Sequence, residues 1–208
     1  MAVSSFAAET NSIKLPAVPV LYENNLEKAD VGKLPDEFMV QDGNFVVKDF
    51  GTNKVLELPG APVETFGLFF GPTESSEVAV SAKIFGSSKG RRFPTFGVGL
   101  NGPSGYRLMM APAKKSLELF RNDEFQTSVP CEWKAGEGLN FKLQIRKMKD
   151  GEWRVEGKVW DAKEPAAWCV TFDDKTEPMA GRASIWGSPF AGTPIWFDDL
   201  SVFRVGAK

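Results

Sequence analysis

The chain has 208 residues, of which 42% are apolar and 25% charged, an ordinary balance for a globular protein long enough to bury a core. Its 25 basic and 27 acidic residues leave a formal net charge of −2, which excludes a general electrostatic attachment to nucleic acid. It contains no histidine and only two cysteines, which excludes serine–histidine and cysteine–histidine catalysis and a zinc site built from histidine or thiolate ligands.

Residues 1–18 show no hydrophobic periodicity and are predicted to form a flexible N-terminal arm or the remainder of a leader. The small residues from Ser5 to Ala8 resemble the end of a secretory signal peptide. We therefore expect an exported protein, periplasmic or extracellular, whose signal peptide has been removed. No apolar run approaches the ~20 residues that span a membrane, so we expect no membrane span. The remainder, 19–208, is predicted to be a single β-sandwich domain.

From Pro19 onward, short apolar segments alternate with turns that contain glycine or proline. In 77–85 the even-numbered residues are all apolar, and in 153–160 the even-numbered residues are charged or tryptophan. This period of two is typical of half-buried strands, and Asp150-Gly151 is a strong hairpin signal. No segment has a long helical period. The sequence therefore predicts an all-β domain of about ten to thirteen short strands, arranged as a sandwich or a closed barrel.

Several segments resemble a known superfamily. Residues 21–27 (LYENNLE), 32–35 (GKLP) and the last-strand motif 196–202 (WFDDLSV) are similar to bacterial laminin-G-like modules of the concanavalin A-like lectin/glucanase superfamily. The segments 153–160 (WRVEGKVW) and 164–168 (EPAAW) resemble a pattern in such modules of the planctomycete-like type. The resemblance implies a two-sheet antiparallel jelly-roll sandwich. It does not fix a function, because the same architecture carries lectins, glycanases and interaction modules.

The sequence departs from the hydrolases of this superfamily. Retaining glucanases need two carboxylates about 5 Å apart, which a Glu-x-Asp-x-Glu triplet supplies on one face of a strand. The chain has no such triplet. The sequence therefore leans against an enzyme, and a glycan-active enzyme working through carboxylates such as Asp198 and Glu156 is the third-ranked hypothesis.

The last predicted strand carries Asp198 and Asp199 among apolar residues. Adjacent strand residues point to opposite faces, and a carboxylate on a covered face needs a partner. Related sandwiches bind a structural calcium ion through an aspartate of the last strand and a residue near the first strand. The resemblance thus implies a calcium site formed by Asp198 and Asp199 with Glu23, or with Asn24 or Glu27 in its place. The alternative is that each aspartate accepts hydrogen bonds from the backbone or from an arginine.

Two tryptophans, Trp160 and Trp186, have the strand parity opposite to their core neighbours and are predicted to face outward. An aromatic face binds the apolar side of a pyranose ring, while charged and amide groups beside it hold the hydroxyls. The candidate ligand-binding residues are Trp160, Trp186, Arg107, Arg146 and Asn101. The alternative is that these tryptophans pack in the core, as we expect for Trp153 and Trp168.

The first-ranked hypothesis is a non-catalytic, extracytoplasmic carbohydrate-binding module whose partner is a glycan. The second is a structural or interaction subunit that docks onto a larger extracytoplasmic assembly through the N-terminal arm and an aromatic patch. Cys131 and Cys169 either form one disulfide in an oxidising compartment or remain two separate, half-buried thiols.

Overall fold

The computed structural model describes residues 19–61 and 64–206. Within these residues the chain forms fifteen β-strands and one 3₁₀ turn, Pro112–Lys114, and no α-helix. The predicted arm or leader, 1–18, lies outside the described residues. No helical segment in the described part of the chain is long and apolar enough to cross a membrane.

The strands pair antiparallel into two sheets, which we call the back sheet and the front sheet. In spatial order the back sheet contains β13 (Val170–Asp174), β12 (Glu152–Trp160), β11 (Gly138–Lys149), β6 (Val78–Gly86), β15 (Ile195–Arg204), β4 (Asn53–Leu58) and β3 (Val46–Phe50), and β1 (Val20–Asn24) also pairs with β15. The front sheet contains β10 (Glu124–Pro130), β9 (Ser116–Arg121), β8 (Tyr106–Ala111), β7 (Thr95–Leu100), β14 (Gly181–Ser188), β5 (Phe66–Glu74) and β2 (Met39–Asp42). The predicted all-β, two-sheet antiparallel jelly-roll sandwich is confirmed.

Alternate residues of each strand fill the space between the sheets. In β6 the apolar residues predicted to share one face, from Val78 to Ile84, are all buried in a single core. The predicted tight hairpin joins β11 to β12, where Gly151 has a φ of 73°, a left-handed conformation that glycine adopts without strain. Because a strand exposes its second face, every core strand also places a row of side chains on the outside of the sandwich.

Two edge strands, β10 and β13, lie on the same side of the sandwich. At one end of this edge, Asp174 accepts a 2.6 Å hydrogen bond from the Tyr106 hydroxyl and pairs with Arg121 at 2.8 Å. At the other end, Cys131 directly follows β10 and Cys169 directly precedes β13. Both thiols are free, and burial together with the nearby Cys169 raises the pKa of Cys131.

Candidate functional site

The outer face of the front sheet carries a second apolar cluster, separate from the core. It consists of Phe69, Met109 and Trp186, with Phe120 packed against it. Each of these residues alternates with a core neighbour along its strand, as Trp186 does with the buried Ile185. Outer faces of antiparallel sheets are usually polar, so a buried apolar cluster on this face must be covered by other side chains, and these define the candidate site.

Trp186 lies in a trough between two glycines. It pairs across the sheet with Gly67 on β5 and Gly97 on β7, and a Cβ atom at Gly67 would stand only 2.7 Å from the indole ring. The indole N–H donates to Ser184 Oγ at 2.8 Å, and the Phe69 ring meets the indole edge-on at 5.9 Å between centroids. Trp186 is therefore on the outer face, as its parity predicts, but only 3% exposed, which corrects the expectation of an open stacking platform.

Arg107 of β8 lies above this indole, with its Cζ atom 4.4 Å from the ring centroid. The Arg107 side chain forms an ion pair with Asp123. Arg107 is only 8% exposed, and its burial lowers the pKa of the guanidinium. Asp123 belongs to the two-residue turn between β9 and β10, where Asn122 and Asp123 have φ values of 49° and 63°. A buried arginine is thus stacked on an aromatic ring and paired with a carboxylate at the tip of a turn.

A cavity of about 270 Å³ opens beside this stack, and we call it the front pocket. Its apolar lining is Met109, Ala111 and Phe120. Six residues form its polar lining: Thr65, Thr95, Arg107, Glu118, Asp123 and Ser188. The pocket therefore combines an aromatic ring, an arginine, two carboxylates and three hydroxyls around a small apolar surface.

Neighbouring side chains hold the polar groups of the front pocket in place. Glu118 accepts hydrogen bonds from Lys114 at 3.0 and 3.2 Å and from the Ser116 hydroxyl at 3.0 Å. The Thr65 and Ser188 hydroxyls lie 2.9 Å apart, with one donating to the other. The Lys114 ammonium group therefore compensates the charge of Glu118, and the Thr65 and Ser188 hydroxyls hold each other in place.

A larger cavity of about 500 Å³ lies at the other end of the same face and is lined by Met39, Phe69, Met179 and Arg182, among others. Asn101 also lines it, but the Asn101 amide donates to the backbone carbonyls of Glu74 and Ser75, both at 2.9 Å. The buried Asn101 therefore holds the turn after β7 against the end of β5. These two bonds use the NH2 group of Asn101, whereas its Oδ1 atom is buried and has no hydrogen-bond partner among the described residues.

The other predicted ligand-binding residues, Trp160 and Arg146, lie on the outer face of the back sheet, the opposite side of the sandwich. Arg146 donates to Glu156 through Nε at 3.1 Å and Nη2 at 2.8 Å, and Gln144 donates to the same carboxylate oxygen at 2.7 Å. The Glu156 carboxylate, one of the two proposed for catalysis, is thus engaged in a buried network. The five predicted residues do not converge on one site.

Lys158 occupies the space beside Trp160. Its ammonium nitrogen lies 4.5 Å from the centroid of the Trp168 ring and 5.9 Å from that of Trp160. Glu164 pairs with the same ammonium group at 2.8 Å. Trp168 is therefore a surface residue that covers a lysine, which corrects its assignment to the core, whereas Trp153 is a core residue as predicted.

The predicted calcium ligands lie on the back sheet. Asp198 is buried and accepts a 2.8 Å hydrogen bond from the Asp199 backbone N–H, while Asp199 and Glu23 are exposed. Burial, with the nearby charges of Asp199 and Glu27, raises the pKa of Asp198 to about 6. Among the described residues, no group of three or more Asp, Glu, Cys or His side chains is arranged to hold a metal ion. The geometry gives the calcium prediction no support.

Sequence reasoning missed most of the front pocket. Glu118 and Phe120 belong to one strand, β9, and Asp123 to the turn that follows it, and the sequence predicts both only as a strand and a turn. Thr65 and Ser188 come from segments far apart along the chain. One signal was available. Glu118 and Phe120 alternate with Leu117 and Leu119, so their outward parity was legible in the sequence.

No protein-family model matches this chain. No curated protein matches it either. Solved structures do share its fold. A carbohydrate-binding module from Bacillus subtilis has 9% identity and a TM-score of 0.57, covering 80% of this chain and 95% of that chain.

Two further structures extend this comparison. The carbohydrate recognition domain of Emp46p in its metal-free form has 11% identity and a TM-score of 0.60, covering 90% of this chain and 97% of that chain. A marine alginate lyase from Aplysia kurodai has 7% identity and a TM-score of 0.58, covering 89% of this chain and 99% of that chain. At such identities the likeness shows the fold alone. The chain is a two-sheet antiparallel jelly-roll sandwich.

Proposed function

We propose that this protein is a carbohydrate-binding module that holds a sugar residue in the front pocket. The observation that carries the proposal is the composition of that pocket on the outer face of the front sheet. Phe120 offers an aromatic ring, and Arg107, Asp123 and the hydroxyls of Thr65 and Ser188 surround it.

A pyranose ring has an apolar side and a rim of hydroxyls, so a matching site needs a ring to pack against and polar groups around it. Specific pockets generally combine an apolar lining with a few placed polar groups. The volume of about 270 Å³ is slightly below the roughly 300–1,000 Å³ of small-molecule pockets, which suits one ring rather than a long chain.

The named functions of the structural neighbours support the same proposal. Two of the three compared structures are named for carbohydrate binding or recognition, and the third is named as a lyase that acts on a polysaccharide. We further propose an extracytoplasmic location, based on the signal-like residues Ser5 to Ala8, and a laminin-G-like subtype, based on the last-strand motif. Both follow from sequence alone.

A glycan array followed by titration calorimetry on a responsive glycan tests the proposal. Phe120→Ala removes the pocket ring, so affinity should fall about tenfold or more, since binding energy concentrates in a few aromatic anchors. Phe50→Ala is the matched control, because Phe50 is an exposed phenylalanine on the back sheet. Equal affinities of both variants and the parent, or a parent that binds no glycan, would refute the proposal.

A second candidate function rests on a separate aromatic patch. On the back sheet Phe50 packs against Phe85 and Trp196, with ring centroids 5.4 and 5.2 Å apart, and the Trp196 N–H donates to Glu57 at 2.8 Å. Exposed aromatic groups are typical of protein interfaces. A docking subunit should elute from native extract in a complex much larger than the free chain, and Phe50→Asp should return it to the size of the free chain.

A further inference from the structure

We infer that the sugar held in the front pocket carries a carboxylate, as a uronate does, and that Arg107 is its receptor. This inference rests on the proposed function and names the class of ligand. Arg107 is only 8% exposed, and its guanidinium group is stacked on Trp186.

Arg107 has unused donor capacity. A guanidinium group has five N–H donors in a planar fork. Among the described residues, Asp123 is the only ion-pair or hydrogen-bond partner of the Arg107 side chain. Arg107 also lines the front pocket, so its remaining donors are available to a ligand there. A buried cation with spare donors favours a planar anion that accepts two hydrogen bonds at once.

Asp123 occupies the place that a ligand carboxylate would take. Its side chain is 78% exposed and lies on a short turn at the edge of the sheet. An incoming carboxylate takes over the pairing with the buried Arg107 while the exposed Asp123 side chain returns to water, so the exchange leaves no buried charge unpaired and its cost is small. Asp123 therefore acts as a built-in substitute that keeps Arg107 paired when the pocket is empty.

Glu118, the second carboxylate of the front pocket, does not repel an anionic ligand. Lys114 and Ser116 donate to the Glu118 oxygens, and Lys114 compensates the Glu118 charge. The Thr95 and Ser188 hydroxyls add further donors on the same lining. With Glu118 compensated and Asp123 displaceable, the groups that face the pocket are mainly donors, which suits a carboxylate better than a neutral ring.

Calorimetry with paired probes tests the inference. The probes are oligogalacturonate, oligomannuronate and oligoglucuronate, each compared with its own methyl ester, which keeps the ring and loses the charge. We expect at least one acid form to bind about tenfold more tightly than its ester. Arg107→Lys keeps the positive charge but loses the fork, and should remove most of this preference. Asp123→Ala removes the competitor and should raise the affinity for the acid form severalfold.

Matched controls come from the back sheet, where Arg154 and Asp173 form an exposed pair with contacts of 2.6 and 2.9 Å. Arg154→Lys and Asp173→Ala should leave binding unchanged, and a thermal melt of each variant shows that it is folded. If acid and ester bind equally, or only neutral glycans bind, the inference is overturned while the proposed function stands. If no glycan of any kind binds, both fail. If Asp123→Ala weakens binding, Asp123 contacts the sugar directly and is not its substitute.

Discussion

Asp198 is a buried carboxyl that weakens the folded state at neutral pH. It is 4% exposed, and desolvation, with the charges of Asp199 and Glu27, raises its pKa from 3.8 to about 6, despite the opposing effect of Lys83. This rise in the pKa corresponds to a loss of at most about 3 kcal/mol in the free energy of unfolding at neutral pH. Because the folded chain binds this proton more tightly than the unfolded chain, the free energy of unfolding should fall as pH rises from about 4 to about 6.

Asp198→Asn removes the ionisation and keeps a side-chain oxygen that accepts from the Asp199 backbone N–H. At pH 7 we expect the free energy of unfolding to rise by up to about 3 kcal/mol, or Tm by roughly 6–12 °C. Below pH 4 the gain should vanish. Urea unfolding followed by tryptophan fluorescence across this pH range measures both effects, with Asp49→Asn, an exposed aspartate on β3 of the same sheet, as the control. A variant that is less stable at pH 7 would mean that the Asp198 charge is required, and would refute this reasoning.

Three further predictions concern the front sheet and the open edge. Trp186→Ala should lower the free energy of unfolding by about 3–5 kcal/mol in urea titrations, because the ring is buried. Gly67→Ala forces a methyl group against that ring and should cost about 1–3 kcal/mol in the same titrations, whereas Gly206→Ala, with nothing within 4 Å, should cost little. Oxidised glutathione should convert Cys131 and Cys169 to an intramolecular disulfide by thiol exchange, and intact-mass analysis should show the loss of two hydrogens.

The strands and the sandwich were predictable because they depend on the alternation of apolar and polar residues within short segments of the chain. The pattern from Val78 to Ile84 predicts which face of β6 is buried, and the structure confirms it. The same rule places Trp186 on an outer face. It cannot predict that Trp186 is covered, because the covering groups, Phe69 and Arg107, come from strands separated from it by many residues.

The grouping of site residues was not predictable for a related reason. The alternation of residues along their strands predicts that Trp160 and Trp186 both face outward. It does not predict which sheet each strand joins, because outward residues alternate with core residues in the same way in both sheets. Only the order of strands shows that the two rings lie on opposite sides. The front pocket depends even more on tertiary structure, since Thr65 and Asp123 meet only after the front sheet has formed.

The glycine trough beneath Trp186 also limits which substitutions the site tolerates. A Cβ atom at Gly67 would lie 2.7 Å from the indole, and one at Gly99, which pairs with Ser184 across the sheet, would lie 2.6 Å from Ser184 Oγ. Substitutions at these glycines would therefore distort the sheet rather than alter the ligand preference. Freedom to vary lies at the rim, where Phe125 is exposed and Asp123 sits on a turn. A library meant to redirect ligand preference would therefore randomise the rim and leave the backbone-lined trough untouched.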